Sequence, residues 1–130
     1  RWKRRLVREG IRRLPPSDLP PVILDVATGT GDIALEWERR FPHASITGVD
    51  FTPAMLDIAR RKNPSSRVRF VEGDAMNLRF EDATFDAVTI GFGIRNVSDP
   101  ARAIREFKRV LKPGGVLLVL EFGNPRLPVW

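Results

Sequence analysis

A glycine-rich stretch, DVATGTGDIA at residues 25–34, holds Gly29, Gly31 and Ala34 in the spacing G-x-G-x-x-A. Glycines at this spacing allow a ligand to approach the backbone closely, a need that NAD, FAD and other nucleoside cofactors share. The pattern therefore predicts a nucleoside-binding loop, but it does not select one nucleoside over another.

Asp32 bears on which ligand this loop accepts. It lies at the predicted start of the next helix, where a dinucleotide would place its pyrophosphate against free N–H groups. A carboxylate there repels phosphates and suits a neutral or cationic group, such as the amino and sulfonium centres of S-adenosylmethionine. The alternative interpretation is a first-turn acid that only stabilises its helix.

Further polar residues follow the next two predicted strands. Asp50 ends the second strand and is predicted to accept hydrogen bonds from ribose hydroxyls. Beside it, Phe51 and Met55 either enclose an aromatic base or belong to the core. After the third strand, Asp74 and the N–H of Ala75 offer the acceptor and donor that adenine needs, although an ordinary acidic turn has the same residues.

The segment after the fourth predicted strand, GFGIRNVSD, offers a place for a second substrate. Gly91 and Gly93 leave room for it, and Arg95 and Asn96 are candidates to bind or polarise an oxygen. A loop cap with Arg95 in a structural ion pair is the alternative. The segment lacks the Asn/Asp-Pro-Pro-aromatic run of amino-group methylases and a carboxylate cluster for magnesium, so no metal site is predicted.

The amino-acid composition excludes several kinds of catalytic and metal site. The chain of 130 residues has no Cys and one His, His43, which excludes disulfides, thiolate nucleophiles and sulfur-ligated zinc. His43 lies in a polar turn and is expected to be a surface residue. The net charge is +6, but residues 1–14 hold seven Lys/Arg and one acid, so the remaining 15 basic and 15 acidic residues cancel.

The basic N-terminal segment, residues 1–14, is predicted to be an amphipathic helix that ends before a Pro-rich linker at 15–21. Such a helix contacts a phosphate backbone, lies on a membrane surface, or packs on the protein with a solvated basic face. The last interpretation is favoured, because charge runs are usually solvated. The apolar residues at helical spacing are Trp2, Leu6, Val7, Ile11 and Leu14.

Strands and helices alternate through the rest of the chain. This alternation predicts an α/β fold, a doubly wound, mostly parallel, Rossmann-like sheet with helices on both faces and a ligand at the carboxyl ends of the strands. LKPGG, residues 111–115, is predicted to be a turn in which both glycines adopt positive φ. Strands are predicted at 22–26, 45–50, 67–73, 86–92 and 115–121, and helices at 31–41, 52–62 and 99–111, the last two capped by Thr52 and Asp99.

Four stretches together resemble one family of class I S-adenosylmethionine-dependent methyltransferases, the ubiquinone/menaquinone-biosynthesis C-methyltransferases. They are LDVATGTGDIA, GVDFTPAML, TIGFGIRNVSD and RVLKPGGVLLVLEF. The resemblance covers nearly the whole chain and implies that residues 22–130 form part of an S-adenosylmethionine-binding methyltransferase domain. A strand pair usual after the fifth strand is absent, so the chain is expected to be the centre of a longer protein.

The resemblance also implies which residues contact the cofactor. It implies that Gly29, Thr30 and Gly31 contact the methionine end, that Asp50 binds the ribose, and that Asp74 and Ala75 bind the adenine. Asp25, Phe51 and Gly91 complete the predicted cofactor site.

The implied reaction is methyl transfer to a ring carbon of a prenylated quinol. Many family members have Ser where this chain has Gly91, and the Gly form resembles members that make menaquinone only, so demethylmenaquinol is the expected substrate. Arg95 and Asn96 are expected to bind the ring oxygen. Because the prenyl tail of such a substrate lies in a membrane, the protein is expected to be cytoplasmic and to contact the inner face of the membrane peripherally through its basic helix.

Three other functions stay open on the sequence. The glycine loop also suits an NAD-dependent oxidoreductase or a non-catalytic nucleotide-binding module. A methyltransferase acting on RNA is favoured by the basic helix and opposed by GFGIRN. No nucleic-acid partner is therefore expected.

Overall fold

The computed structural model describes residues 2–91 and 97–119. Within these residues, three helices and five strands follow the N-terminal helix, because short apolar runs are separated by turns and amphipathic stretches. The elements are α1 (Trp2–Arg13), β1 (Val22–Val26), α2 (Asp32–Arg40), β2 (Ser45–Asp50), α3 (Pro53–Lys62), β3 (Arg69–Glu72), β4 (Phe85–Ile90), α4 (Pro100–Val110) and β5 (Leu111–Val119).

The five strands form one parallel sheet in the order β3-β2-β1-β4-β5. β1 lies at the centre, and the chain order reverses between β1 and β4, which is the switch point where such sheets bind ligands. At this point Asp25 of β1 lies beside Gly48 of β2 and Thr89 of β4. The predicted doubly wound parallel sheet is confirmed.

Helices cover both faces of the sheet, and each face has its own apolar core. On one face, α1, α2 and α3 contribute to one core, which contains the fully buried Trp37. On the other face, α4 packs through Phe107, which is also fully buried. α1 belongs to the first core through Leu6 and Val7, while its basic residues Arg4, Arg5, Arg8, Arg12 and Arg13 are exposed.

The helix starts follow the Pro signals in the sequence. Asp99 caps α4 and accepts a hydrogen bond from the N–H of Arg102 at 3.1 Å, with Pro100 in the first turn. Thr52 occupies the cap position of α3, but its side chain makes no capping hydrogen bond. Pro53, the first residue of α3, favours this helix start because the proline ring fixes φ at a helical value.

The predicted turn at LKPGG was wrong in part. These residues lie within β5, since Leu111 pairs with Phe85 and Val116 pairs with Ala87, and the residues between them bulge out of the ladder. Gly114 has the predicted positive φ, +81°, whereas Gly115 does not. Pairing of Leu111 with β4 begins the strand before the bulge, which local turn signals do not reveal.

Candidate functional site

A cavity of about 680 Å³ opens at the carboxyl ends of the central strands. Its wall combines the loops after β1, β2, β3 and β4 with the first residue of α1. This is the position predicted from the strand pattern. The lining residues are Trp2, Val26, Ala27, Thr28, Gly29, Thr30, Asp32, Ile33, Val49, Asp50, Phe51, Thr52, Gly73, Asp74, Ala75, Met76, Gly91, Val97 and Ser98.

The two loop glycines serve different purposes. Both have positive φ, +56° at Gly29 and +88° at Gly31. Apart from its two chain neighbours, no atom of residues 2–91 and 97–119 lies within 4 Å of the place where a Cβ of Gly29 would be, so its backbone is open to the cavity. A Cβ on Gly31 would lie 2.8 Å from the ring of Phe70, and Gly31 does not line the cavity. Gly29 therefore leaves space for a ligand, and Gly31 leaves space for the core.

Asp50 holds the loops of the site together. Its Oδ2 accepts a hydrogen bond from the N–H of Gly29 at 2.7 Å, and its Oδ1 accepts one from Thr52 at 2.9 Å. The backbone oxygen of Asp50 accepts a third from Gly73 at 3.0 Å. The carboxylate is thereby fixed at the cavity wall, and each oxygen retains a lone pair that a hydroxyl group can use.

Asp25 lies beneath the glycine loop instead of in the cavity wall. Its side chain is 1% exposed and accepts hydrogen bonds from the hydroxyls of Thr28 and Thr89, each at 2.7 Å. Burial raises the pKa of the Asp25 carboxyl to about 7, against the opposing effect of the two hydroxyls. Its observed contacts therefore join the loop to β4.

Asp32 lines the cavity, as predicted, but it is not an isolated charge. Lys62, the last residue of α3, forms an ion pair with it. The hydrogen bond from Lys62 lowers the pKa of the Asp32 carboxyl, so this group is ionised at neutral pH. The expected repulsion of a pyrophosphate by Asp32 is therefore reduced by the neighbouring ammonium.

The residues predicted to enclose a base lie at one side of the cavity. Phe51 lines it with its side chain 76% exposed, whereas the neighbouring Met55 is exposed outside it. Asp74 and Ala75 also line the cavity, and Asp74 Oδ1 accepts a hydrogen bond from the N–H of Met76 at 2.9 Å. Asp74 Oδ2 has no hydrogen-bond partner among residues 2–91 and 97–119 and is available to a ligand.

Gly91 follows the last residue of β4. It is buried and lines the cavity, and a Cβ there would lie 3.1 Å from Ile33 Cδ1 and 4.0 Å from the Trp2 ring. The other residues predicted for substrate contact, Gly93, Arg95 and Asn96, lie outside the described residues.

Several contributors were not predicted from the sequence as parts of the site, and three of them come from elements far along the chain. Trp2 reaches the cavity from α1, Thr89 holds Asp25 from β4, and Lys62 holds Asp32 from α3. Each is far along the chain from its partner, so no local pattern indicates the contact. Within the described ranges, no cluster of three His, Cys, Asp or Glu side chains has metal-binding geometry, and no helix has the length and apolarity needed to cross a membrane.

Comparison with known proteins identifies the family. The profile of the ubiE/COQ5 methyltransferase family matches residues 1–130. A demethylmenaquinone methyltransferase of Thermus thermophilus is 51% identical over 127 residues, covering 96% of this chain and 56% of that protein. The enzyme of the same name from Deinococcus radiodurans is 47% identical over 126 residues, covering 95% and 50%.

The chain thus spans about half the length of the curated relatives it matches. Among solved structures, the [4+2]-cyclase SpnF superposes with a TM-score of 0.77 at 39% identity, covering 91% of this chain and 44% of that one. Its name describes a different reaction, so the fold by itself does not decide the chemistry. The match of the family profile over every residue does decide the family: the chain belongs to the ubiE/COQ5 methyltransferase family.

Proposed function

We propose that this protein uses S-adenosylmethionine to methylate a ring carbon of a prenylated quinol, converting demethylmenaquinol to menaquinol. Family membership and the names of relatives 51% and 47% identical support the reaction. The observation that carries it is the cavity at the switch point, where the glycine loop, Asp50 and Asp74 meet.

The described residues fit the cofactor. The open backbone at Gly29 accommodates a ligand that lies against the loop, and Asp50 offers fixed acceptors for two ribose hydroxyls. Asp74 Oδ2 and the N–H of Ala75 provide the acceptor and donor for adenine, and the exposed ring of Phe51 offers an apolar surface to a base. S-adenosylmethionine supplies, when bound, a methyl group activated by its sulfonium.

The substrate side of the cavity is less polar. Trp2, Ile33 and Val97 contribute apolar lining, and Trp2 and Ile33 lie next to Gly91. We assign the binding of the quinol oxygen to Arg95 and Asn96, whose side chains offer the hydrogen-bond donors that a phenolate needs. Positioning, not a dedicated base, is then the main contribution of these residues.

Gly91 is proposed to select the menaquinol precursor. It lacks the hydroxyl that Ser provides at this position in many relatives. The Gly91→Ser variant is expected to keep methylating demethylmenaquinol and to gain activity on a ubiquinol precursor, measured with both substrates in parallel. A variant with unchanged preference would show that Gly91 does not select the substrate.

The exposed basic face of α1 supports a peripheral contact with anionic lipid. Arg4, Arg5 and Arg8 are exposed on the helix whose first residue, Trp2, lines the cavity. Such a contact brings the cavity near the membrane that holds the prenyl tail. We expect the chain to co-sediment with phosphatidylglycerol vesicles and to dissociate at high salt. Equal binding to phosphatidylcholine, or binding insensitive to salt, would contradict an electrostatic contact.

The decisive experiment combines binding and transfer. Calorimetric titration is expected to show binding of S-adenosylmethionine and S-adenosylhomocysteine but not of NAD. Labelled methyl transfer to demethylmenaquinol then tests the reaction, with Arg95→Ala expected to lose turnover while its cofactor affinity is retained. Binding of NAD alone would replace the proposal with an oxidoreductase. Cofactor binding without transfer to any quinol would remove the substrate assignment.

A further inference from the structure

Lys62 connects α3 to the ligand side of the glycine loop. Its ammonium donates hydrogen bonds to Asp32 Oδ1 and, at 3.4 Å, to Thr30 Oγ1. Both partners line the cavity, whereas Lys62 lies behind them. The side chains of Lys62 and Asp32 remain 39% and 41% exposed, so the pair is held at the surface and not buried in the core.

The direction of these hydrogen bonds fixes what Thr30 and Asp32 can still do. An ammonium group only donates, so Thr30 Oγ1 is the acceptor in its contact with Lys62, and the hydroxyl proton of Thr30 remains available. Asp32 uses Oδ1 for Lys62, and its Oδ2 has no hydrogen-bond partner among the residues that the structure describes. The cavity therefore presents a hydroxyl donor and a carboxylate acceptor two residues apart.

In the structure Thr30 and Asp32 are each hydrogen-bonded to Lys62, and no hydrogen bond joins them to each other. Without Lys62 we expect the Thr30 hydroxyl to turn toward the Asp32 carboxylate and donate to it, so that the donor and the acceptor are both lost to a ligand. The hydrogen bond from Lys62 also lowers the pKa of the Asp32 carboxyl, which keeps the acceptor charged.

We propose that Lys62 is a positioning residue that makes Thr30 a donor and Asp32 an acceptor, so that together they recognise the zwitterionic amino-acid end of the ligand. Thr30 donates to the carboxylate of that end, and Asp32 accepts from its ammonium. This inference rests on the proposed function, since S-adenosylmethionine is a ligand with such an end. A dinucleotide has no zwitterion to place there.

Three ligands that differ only at this end provide the test. S-adenosylhomocysteine carries both charged groups, decarboxylated S-adenosylhomocysteine carries the ammonium alone, and methylthioadenosine carries neither. Calorimetric affinities are measured for the full chain and for Lys62→Met, Lys62→Gln and Lys62→Arg. Arg61→Met is the matched control, because Arg61 is the exposed preceding residue on the same helix.

Lys62→Met and Lys62→Gln are expected to weaken the binding of S-adenosylhomocysteine roughly tenfold or more, because charge-assisted hydrogen bonds to its carboxylate and its ammonium are lost. The affinity for methylthioadenosine is expected to stay unchanged. Lys62→Arg is expected to restore most of the affinity, and Arg61→Met to change nothing. Thr30→Val is expected to abolish the preference for the carboxylate-bearing ligand and to leave the affinity for the decarboxylated one.

Two outcomes would overturn the inference. If the Lys62 variants weaken all three ligands by the same factor, Lys62 has only a structural role. If they weaken none, Thr30 and Asp32 do not depend on it. Failure of the unaltered chain to bind S-adenosylhomocysteine or methylthioadenosine would instead overturn the proposed function and, with it, this inference.

Discussion

The buried carboxyl of Asp25 makes the stability of the protein depend on pH. Its pKa is raised from 3.8 to about 7 by burial. Between these values the folded chain binds a proton that the unfolded chain has lost, so the free energy of unfolding falls as pH rises from about 4 to 7 and then levels off. The hydrogen bonds from Thr28 and Thr89 oppose the rise in pKa and so reduce this loss of stability, but they do not cancel it.

Asp25→Asn is expected to remove this dependence. Asparagine has the same size and can accept from one threonine and donate to the other. Relative to the unaltered chain, the variant gains stability as pH rises from 5 to 8, by at most about 3 kcal/mol, because only the interval from pH 5 to about 7 contributes and each pH unit is worth about 1.4 kcal/mol. Urea unfolding of both proteins at four pH values measures the difference. Parallel stability curves would mean that Asp25 is ionised throughout this range.

Gly29 and Gly31 provide a matched pair of backbone tests. Gly29→Ala is expected to lower the free energy of unfolding by about 1–2 kcal/mol, the conformational cost of positive φ alone, because its Cβ enters open space. Gly31→Ala is expected to lower the free energy of unfolding by about 1–3 kcal/mol more, since its Cβ would collide with the Phe70 ring. Urea unfolding measures both. Equal losses would contradict the collision, whereas partial rescue of Gly31→Ala by Phe70→Leu would support it.

At the residue scale, the sequence predicted the parts of the site that follow strands directly. The sequence predicted the loop at 27–31, Asp50 and Asp74 because glycines or acidic residues stand there at the end of an apolar, strand-like run. Lys62 was not found, because its contact with Asp32 depends on where the end of α3 lies relative to the start of α2, which no spacing in the sequence reports. Asp25 was predicted as part of the cofactor site, and its burial beneath the glycine loop could not be read from its residue type.

At the scale of elements, Arg109 holds the end of α4 to the segment before β4. It donates to the carbonyl oxygens of Leu78 and Phe80, each at 2.8 Å, and forms ion pairs with Asp82 and Glu106. Glu106 in turn accepts from the N–H of Leu78 at 2.8 Å. This network fixes the chain that leads from Asp74 and Ala75 in the cavity wall to β4.

Arg109→Met is expected to destabilise the fold by about 1–3 kcal/mol, because the carbonyl groups and Glu106 lose a charged donor. Amide hydrogen exchange should quicken at Leu78 and in the segment up to residue 82. Arg105→Met, at an exposed position on the same helix, is the control and should do neither. Unchanged exchange at Leu78 in Arg109→Met would show that Glu106 holds the segment without help from Arg109.

Element types were more predictable than element ends. Pro100 and Asp99 mark the start of α4 because fixed φ and side-chain capping are local effects. The start of β5 was misjudged because pairing between Leu111 and Phe85, across the sheet, continues the strand through a bulge. Strand ends are decided by the neighbouring strand as much as by the strand's own residues.

At the scale of the whole molecule, the alternation of strands and helices was enough to predict the sheet and the edge that carries the site, since right-handed crossovers leave few other arrangements. The role of α1 was not predictable in the same way. Its apolar spacing indicated packing, but not the place where it packs. In the structure, Gly10 brings α1 close to Trp37 and Leu118, and this approach carries Trp2 to the cavity.

Gly10→Ala tests whether the packing of α1 controls the site. The added Cβ would lie 2.6 Å from Leu118 Cδ1 and 2.7 Å from the Trp37 ring, so the helix must move outward. Overpacking costs about 1–3 kcal/mol, while alanine regains about 1 kcal/mol of helix propensity, so the net loss of stability is small. The shift extends along the rigid helix to Trp2, and we expect the affinity for S-adenosylhomocysteine to fall severalfold, measured by calorimetry. Arg8→Ala, on the exposed face, should leave it unchanged. Unaltered affinity in Gly10→Ala would mean that the cavity tolerates movement of α1.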